Sequence, residues 1–343
     1  MSVTIGEKKL KFHVLGNGFD NVRNDSGFGA KSYVGDLYVW GAMIDDTETY
    51  MWLRTGDGLK KYQIGDFTEV AQNTIPTSCN MILHPNNVEN NYGLAFDNGT
   101  DLYLFDLTDD TLIGRTTGTL PTAAGFYSYD CVLYGNKIYF MSKNLARTNP
   151  TLYVLDLEDM TLTSSVIASN VGACGFVDSS VIYVCYPREW FYQTTTAYAI
   201  NYSGGNIWTN TQFDNNNDAN MWALVGNGKL YLPVKIDGTW HFGVFNATPN
   251  PTFRPPSPIR TIGNFDSIPA LDNSGHSSRH DVAYNEGRTK ACMWTRQGLL
   301  YTDFQTIEKL DMVDAVPLAV SDRYVLCSDI NSFSNHKFYV YGM

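Results

Sequence analysis

Short runs of alternating apolar and polar residues fill most of the chain, and a hydrophobic-Tyr-hydrophobic triplet recurs along it. The triplet stands at Leu37-Tyr38-Val39, Leu102-Tyr103-Leu104, Ile138-Tyr139-Phe140, Leu152-Tyr153-Val154, Ile182-Tyr183-Val184, Leu230-Tyr231-Leu232 and Phe338-Tyr339-Val340. Alternation at a period of two is the pattern of a half-buried strand. Between these runs lie Asp97-Asn98-Gly99, Gly135-Asn136, Gly226-Asn227-Gly228, Asp237-Gly238 and Asn285-Glu286-Gly287. Such residues tolerate positive φ and close tight hairpins. Strands therefore follow one another by short turns as a meander, and no amphipathic helical pattern of convincing length interrupts it.

Grouped by fours, the strands form repeats near residues 30–72, 78–117, 127–169, 172–212, 221–254, 280–313 and 316–342. A spacing of about 45 residues with four strands per unit is that of propeller repeats. The third strand of a repeat often ends in an acidic residue before a turn, as in LYLFDLTDDTLI (102–113), LYVLDLEDMTL (152–162) and, more loosely, LYTDFQTIEKL (300–310). The expectation is an all-β chain, one domain over residues 1–343. It is a seven-bladed β-propeller of four-stranded antiparallel blades, with six blades as the alternative. The last repeat supplies three strands, and residues 9–15 (KLKFHVL) are an orphan strand. Because an open ring leaves strand edges exposed, this N-terminal strand is expected to close the last blade.

Composition narrows the classes of function. The chain is hydrophobic at 43%, charged at 17% and aromatic at 14%, far from the signature of disorder. A net charge of −11 disfavours direct nucleic-acid binding, which needs clustered Lys and Arg. The short basic runs Lys8-Lys9-Leu10-Lys11 and Lys60-Lys61 read as solvated positions. Six cysteines without a CxxC pair read as buried thiols. No transmembrane run is found, and the first 15 residues lack the apolar core of a signal peptide, so no membrane insertion and no secretory leader are expected.

Candidate chemistry is sparse. His276, His280 and Asp281 in GHSSRHD (275–281) have metal-ligand spacing without a helix to fix it, and Asp214, Asn216, Asp218 and Asn220 place oxygens at alternate positions, as calcium loops do. Both read more simply as polar loops. No paired carboxylates, nucleophile elbow or phosphate loop stands out. Catalytic residues and a cofactor are therefore not expected. Two irregular segments carry more: PREWFYQ (187–193), where Trp190, Phe191 and Tyr192 could anchor an interface or stack on a sugar, and the Pro-rich insertion 246–279. The insertion holds six of the thirteen prolines, with Phe253 and Arg254 beside Pro255, Pro256 and Pro258. A long loop of this kind suits a docking arm. Residues 17–29 form another Gly- and Asn-rich connection.

The repeat pattern resembles kelch-type propellers in architecture, although neither the kelch Gly-Gly pair nor the Trp-Asp ending of WD40 blades repeats here. It is also similar to propellers of bacteriophage tails. That resemblance implies a non-enzymatic virion component, from tail or adsorption apparatus, whose partners are other virion subunits or a host-surface glycan. The alternatives are a carbohydrate-binding or carbohydrate-active propeller and an intracellular kelch-like scaffold. The expected location is the virion or, alternatively, the cytoplasm.

Overall fold

The computed structural model describes residues 2–5, 8–11, 31–35, 39–71, 78–79, 81–85, 91–97, 101–118, 131–142, 151–166, 173–176, 182–186, 194–200, 206–214, 224–227, 229–237, 239–246, 260–265, 282–285, 287–295, 298–310, 315–329 and 338–342. Strands dominate, as the alternation predicts. They pair antiparallel with their sequence neighbours into four-stranded sheets spanning 39–70, 81–117, 131–166, 173–214, 224–265 and 282–310. A further sheet joins Ala315–Val320, Tyr324–Asp329 and Phe338–Gly342 to Lys31–Gly35, which comes from the other end of the sequence.

The first strand of each sheet is the innermost. Val282–Tyr284 touches Ala315–Val320, which touches Val39–Ile44, which touches Met81–Leu83. Burial falls outward from there. Tyr50–Thr55, a second strand, is buried at five consecutive positions because its sheet is covered on both faces, whereas the outer strand Leu112–Thr117 is mostly exposed. Sheets stacked face to face about a common centre, with innermost strands adjoining, make a β-propeller.

Two parts of the expected ring are corrected. Packed hydrophobic seams are described at five places between neighbouring sheets, not at seven. The closing strand is not residues 9–15. Lys31 pairs with Tyr341, Ser32 with Val340 and Tyr33 with Tyr339, so Lys31–Gly35 fills the outer position beside Phe338–Gly342. Lys8–Lys11 instead pairs with Ser2–Ile5 in a separate two-stranded hairpin. Residues 31–35 fall within the first sequence repeat, 30–72, but that repeat's own first strand begins at Val39. Within the Pro-rich insertion, Arg260–Phe265 is the fourth strand of the 224–265 sheet. Its prolines at 255, 256 and 258 stand before that strand in the sequence.

A repeated turn shapes the end of the third strand. In Asp66-Phe67-Thr68, Asp109-Asp110-Thr111 and Asp159-Met160-Thr161, the Asp Oδ1 accepts the Thr backbone N–H at 3.0, 2.9 and 3.0 Å. The middle residues have φ of 58°, 66° and 58°. Asp303 does the same for Gln305 and Thr306, with Phe304 at φ 63°. A carboxylate that caps a local turn offsets the cost of left-handed backbone at a residue with a side chain.

The seams also carry polar links. Lys61 is 3% exposed and donates to Asp110 Oδ1 and Thr108 O, both at 2.6 Å, across the seam between the 39–70 and 81–117 sheets. Its ammonium lies 4.2 Å from the Tyr50 ring centre and 5.3 Å from that of Trp52. Trp52 is fully buried, donates through Nε1 to Leu107 O at 3.1 Å, and meets Phe105 edge to face. At another seam Phe304 packs so closely on Gly226 that a Cβ there would lie 2.2 Å from its ring, which explains that glycine.

Candidate functional site at the mouth of the ring

The strand 1–2 hairpins and the strand 3–4 turns emerge from the same end of the sheets. Backbone bonds of 2.9 Å join them, from Ile64 N to Thr49 O, Leu107 N to Asn91 O and Leu157 N to Asn136 O. This end of the molecule is therefore a surface of fixed turns, and it is rich in carboxylates because the turns use Asp to cap themselves.

Two of the first hairpins share one design. In residues 45–50 the Asp45 backbone O accepts from Glu48 N, and Asp45 Oδ1 accepts from Tyr50 N at 2.5 Å. In residues 285–290 the Asn285 backbone O accepts from Arg288 N, and Asn285 Oδ1 accepts from Thr289 N and Lys290 N at 2.8 and 2.7 Å. Glu48 and Arg288 hold the matching left-handed positions at φ 54° and 50°. An amide thus does in one sheet what a carboxylate does in the other. Asp45 is 1% exposed, and burial pushes its carboxyl above the usual range against the lowering effect of the Thr47 hydroxyl and backbone N–H groups.

That comparison predicts the outcome of Asp45→Asn. A carboxyl with a raised folded-state pKa contributes most to stability at acid pH, and the contribution is lost as pH rises through the folded value. The amide has no such loss and keeps the bond to Tyr50 N. The variant is expected to gain stability relative to the parent between about pH 4 and pH 7, read by urea denaturation at the two values. A gain that shrinks toward neutral pH would contradict this account.

Polar links sew the hairpins of successive sheets together. Asn227 N donates to Arg288 O at 3.2 Å, Asn285 Nδ2 to Asp322 Oδ1 at 2.9 Å, and Lys290 Nζ to Asp322 O at 2.6 Å. Arg323 N donates to Glu48 Oε1 at 2.8 Å while its guanidinium pairs with Glu48 and with Thr47 O. Asp46 N donates to Asn91 Oδ1 at 3.0 Å. The belt runs through five consecutive sheets.

Inside it, at the end of the innermost strands, lies a cavity of about 330 Å³. Asp45, Asp46, Glu48 and Asp322 line it together with His84, Asn285, Thr289 and Ser321, and among the described residues no Lys or Arg does. His84 follows the first strand of the 81–117 sheet. Part of the residue remains accessible, but its Nε2 is shielded from solvent and has no hydrogen-bond partner. Burial holds the imidazole pKa down at about 4, so it is neutral at pH 7. Among the described residues no three His, Cys, Asp or Glu side chains converge as a metal-binding set, and no helix is long and apolar enough to cross a membrane.

The structure does not describe most of the sequence-derived candidates. Trp190, Phe191, Tyr192, Phe253, Arg254, Asn216, Asp218, His276 and His280 lie outside the described residues, and Asp214 ends the strand Asn206–Asp214. Sequence reasoning missed His84 and the hairpin acids. A lone His after an apolar strand reads as a core residue, and single acids in turns read as caps. The available signal was the regular return of Asp-x-Thr after the third strand.

No protein-family description and no curated protein sequence matches the chain. Solved structures do. The chain is similar to the β-propeller domain of Cps50 (Swd1) from Myceliophteria thermophila, at 9% identity and a TM-score of 0.54, over 95% of this chain and all of that one. It also matches Hsv2 from Kluyvelomyces marxianus at 10% identity and a TM-score of 0.46, over 85% of this chain and 89% of that one. The computationally designed Ika8 protein matches at 11% identity and a TM-score of 0.49, over 90% and 98%. The virion, host-attachment and glycan readings gain no support from the comparisons. The likeness to the Swd1 domain shows the fold: this chain is a β-propeller.

Proposed function

We propose that the protein is a protein-interaction scaffold whose working surface is the hairpin face around the mouth cavity. The observation that carries this reading is the belt of cross-sheet bonds from Asn227 to Asn91, which fixes the face before any partner arrives. A surface already held in one shape spends less ordering entropy on binding. The fold alone does not choose a function, since propellers host many; the fixed concave face is what favours a binding role.

A photo-crosslinking residue at Gln305 or Thr68, exposed on this face, is expected to trap the same partner protein in cells. The same residue at Asp57, in the exposed strand 2–3 turn at the opposite end of its sheet, is expected to trap none. Trapping from Asp57 alone, or from no position, would overturn the reading.

A further inference from the structure

Among the described residues, three large hydrophobic side chains are exposed: Leu112 at 40%, Ile113 at 46% and Tyr134 at 42%. All three stand at the hairpin end of two neighbouring sheets, which share one packed seam. Leu112 and Ile113 open the outer strand Leu112–Thr117 directly after the Asp109-Asp110-Thr111 turn, and Tyr134 ends the inner strand Cys131–Tyr134. The turn at 156–161 links them. Leu157 N donates at 2.9 Å to Asn136 O, in the hairpin that Tyr134 enters, and Met160 sits against Gly114, where a Cβ would lie 2.7 Å from its sulfur. The exposed apolar groups are therefore held on either side of one fixed turn.

The exposure is built into the backbone. Leu104 stands opposite Gly114 and Phe105 opposite Leu112, so Ile113 is an extra residue in the outer strand. Such a bulge breaks the alternation of faces and re-aims a side chain. Two consecutive apolar residues are exposed as a result. The corresponding pairs after the other Asp-capped turns are Glu69-Val70, Leu162-Thr163 and Ile307-Glu308, each with one polar member. Around the patch stand the exposed carboxylates of Asp109, Glu158 and Asp159, and none of them forms an ion pair among the described residues. The described cations of these two sheets, Arg115 and Lys137, are paired with Asp101 and Asp156.

Resting on the scaffold reading above, we infer that this patch docks a short segment of a partner protein in which bulky apolar residues stand beside Lys or Arg. Exposed apolar surface rimmed by polar groups is the pattern of an interaction site. The apolar residues of the segment cover Leu112, Ile113 and Tyr134, while its cations meet Asp109, Glu158 and Asp159 and set its orientation. Charge selects this occupant over two others. A second copy of this chain brings a net charge of −11 and the same carboxylates around the same patch, and an anionic membrane surface is repelled in the same way.

The test uses the full chain and three short acetylated, amidated peptides, titrated by calorimetry at low salt. One is built from Leu, Phe and Lys, one has Glu in place of every Lys, and one has Ser in place of every Leu and Phe. The first is expected to bind about tenfold more tightly than either of the others. Leu112→Thr combined with Ile113→Thr is expected to melt like the parent, because both side chains are already exposed, and to weaken that binding about tenfold. Glu158→Lys, an independent change on the rim, is expected to narrow the preference for Lys over Glu about threefold. Val70→Thr, at the matching position of the 39–70 sheet, is expected to leave the binding unchanged. Failure of the first peptide to bind, equal binding of the Glu or Ser peptide, or an undiminished affinity in the double variant overturns the inference. So does self-association of the chain that the double variant abolishes, since it would assign the patch to a second copy. If Gln305 and Thr68 still trap a partner while the Lys peptide does not bind, the inference falls and the scaffold reading stands.

Discussion

A chain lacking residues 1–36 is expected to lose cooperative unfolding, whereas one lacking residues 1–11 is expected to melt like the parent. The first deletion removes Lys31–Gly35, which completes the sheet of Phe338–Gly342 and holds the two ends of the sequence in one ladder. Without it the backbone of Phe338–Gly342 becomes an open edge, and exposed edges recruit other chains. Thermal unfolding followed by near-ultraviolet circular dichroism would show a midpoint fall of more than about 10 °C, with aggregation. The second deletion takes away the hairpin Ser2–Ile5 and Lys8–Lys11, which pairs with no other described strand. A large effect from deletion of 1–11 alone would restore the closure expected from the sequence and contradict the one seen.

Lys61→Ala is expected to cost about 3–5 kcal/mol, the range for breaking a buried ion pair by removing one partner. The loss leaves Asp110 and the Thr108 carbonyl without the ammonium between them and opens the space under Tyr50 and Trp52. Lys61→Met keeps the packing of the stem and is expected to recover part of the cost, and Lys61→Met with Asp110→Asn most of it. Burial already raises the Asp110 carboxyl above its ordinary range despite Lys61. Its contribution to stability is therefore greatest in acid and is lost as pH rises through the folded-state value. Removing the lysine sharpens that trend, so the penalty of Lys61→Met shrinks as pH falls toward 4. Urea denaturation of the four chains at pH 4 and pH 7 measures both effects. A double variant no more stable than Lys61→Met would show that the pair is not coupled.

The strands, their meander and their grouping by fours were legible because each depends on local pattern. Alternating runs such as Leu102-Tyr103-Leu104 and turns such as Gly135-Asn136 specify themselves within a few residues. The closing strand did not. Residues 9–15 and residues 31–35 are both short alternating segments beside Gly- and Asn-rich stretches, and the choice between them is made by pairing with Phe338–Gly342, which no local pattern reports. Arg260–Phe265 was hidden for a related reason: prolines at 255, 256 and 258 make the sequence read as a loop but do not forbid the strand that follows. The mouth cavity was illegible because its wall is assembled from hairpins of four sheets. Asp46, His84, Asn285 and Asp322 acquire a common chemistry only when the innermost strands stand side by side. Asp45 and Asn285 show the limit from the other direction, being different letters with one structural role.

The sheet that unites Lys31–Gly35 with Phe338–Gly342 also sets the order of events during synthesis. Its strand Lys31–Gly35 is made about 300 residues before Phe338–Gly342 and must wait, unpaired, until that partner has been made. Each other described four-stranded sheet can zip up from neighbouring hairpins as it emerges, with little loop entropy to overcome. Ring closure is then the slow, non-local step. Until it happens, the waiting strand is the segment that a second nascent chain could capture, so the characteristic misfold is an exchange of Lys31–Gly35 between two copies.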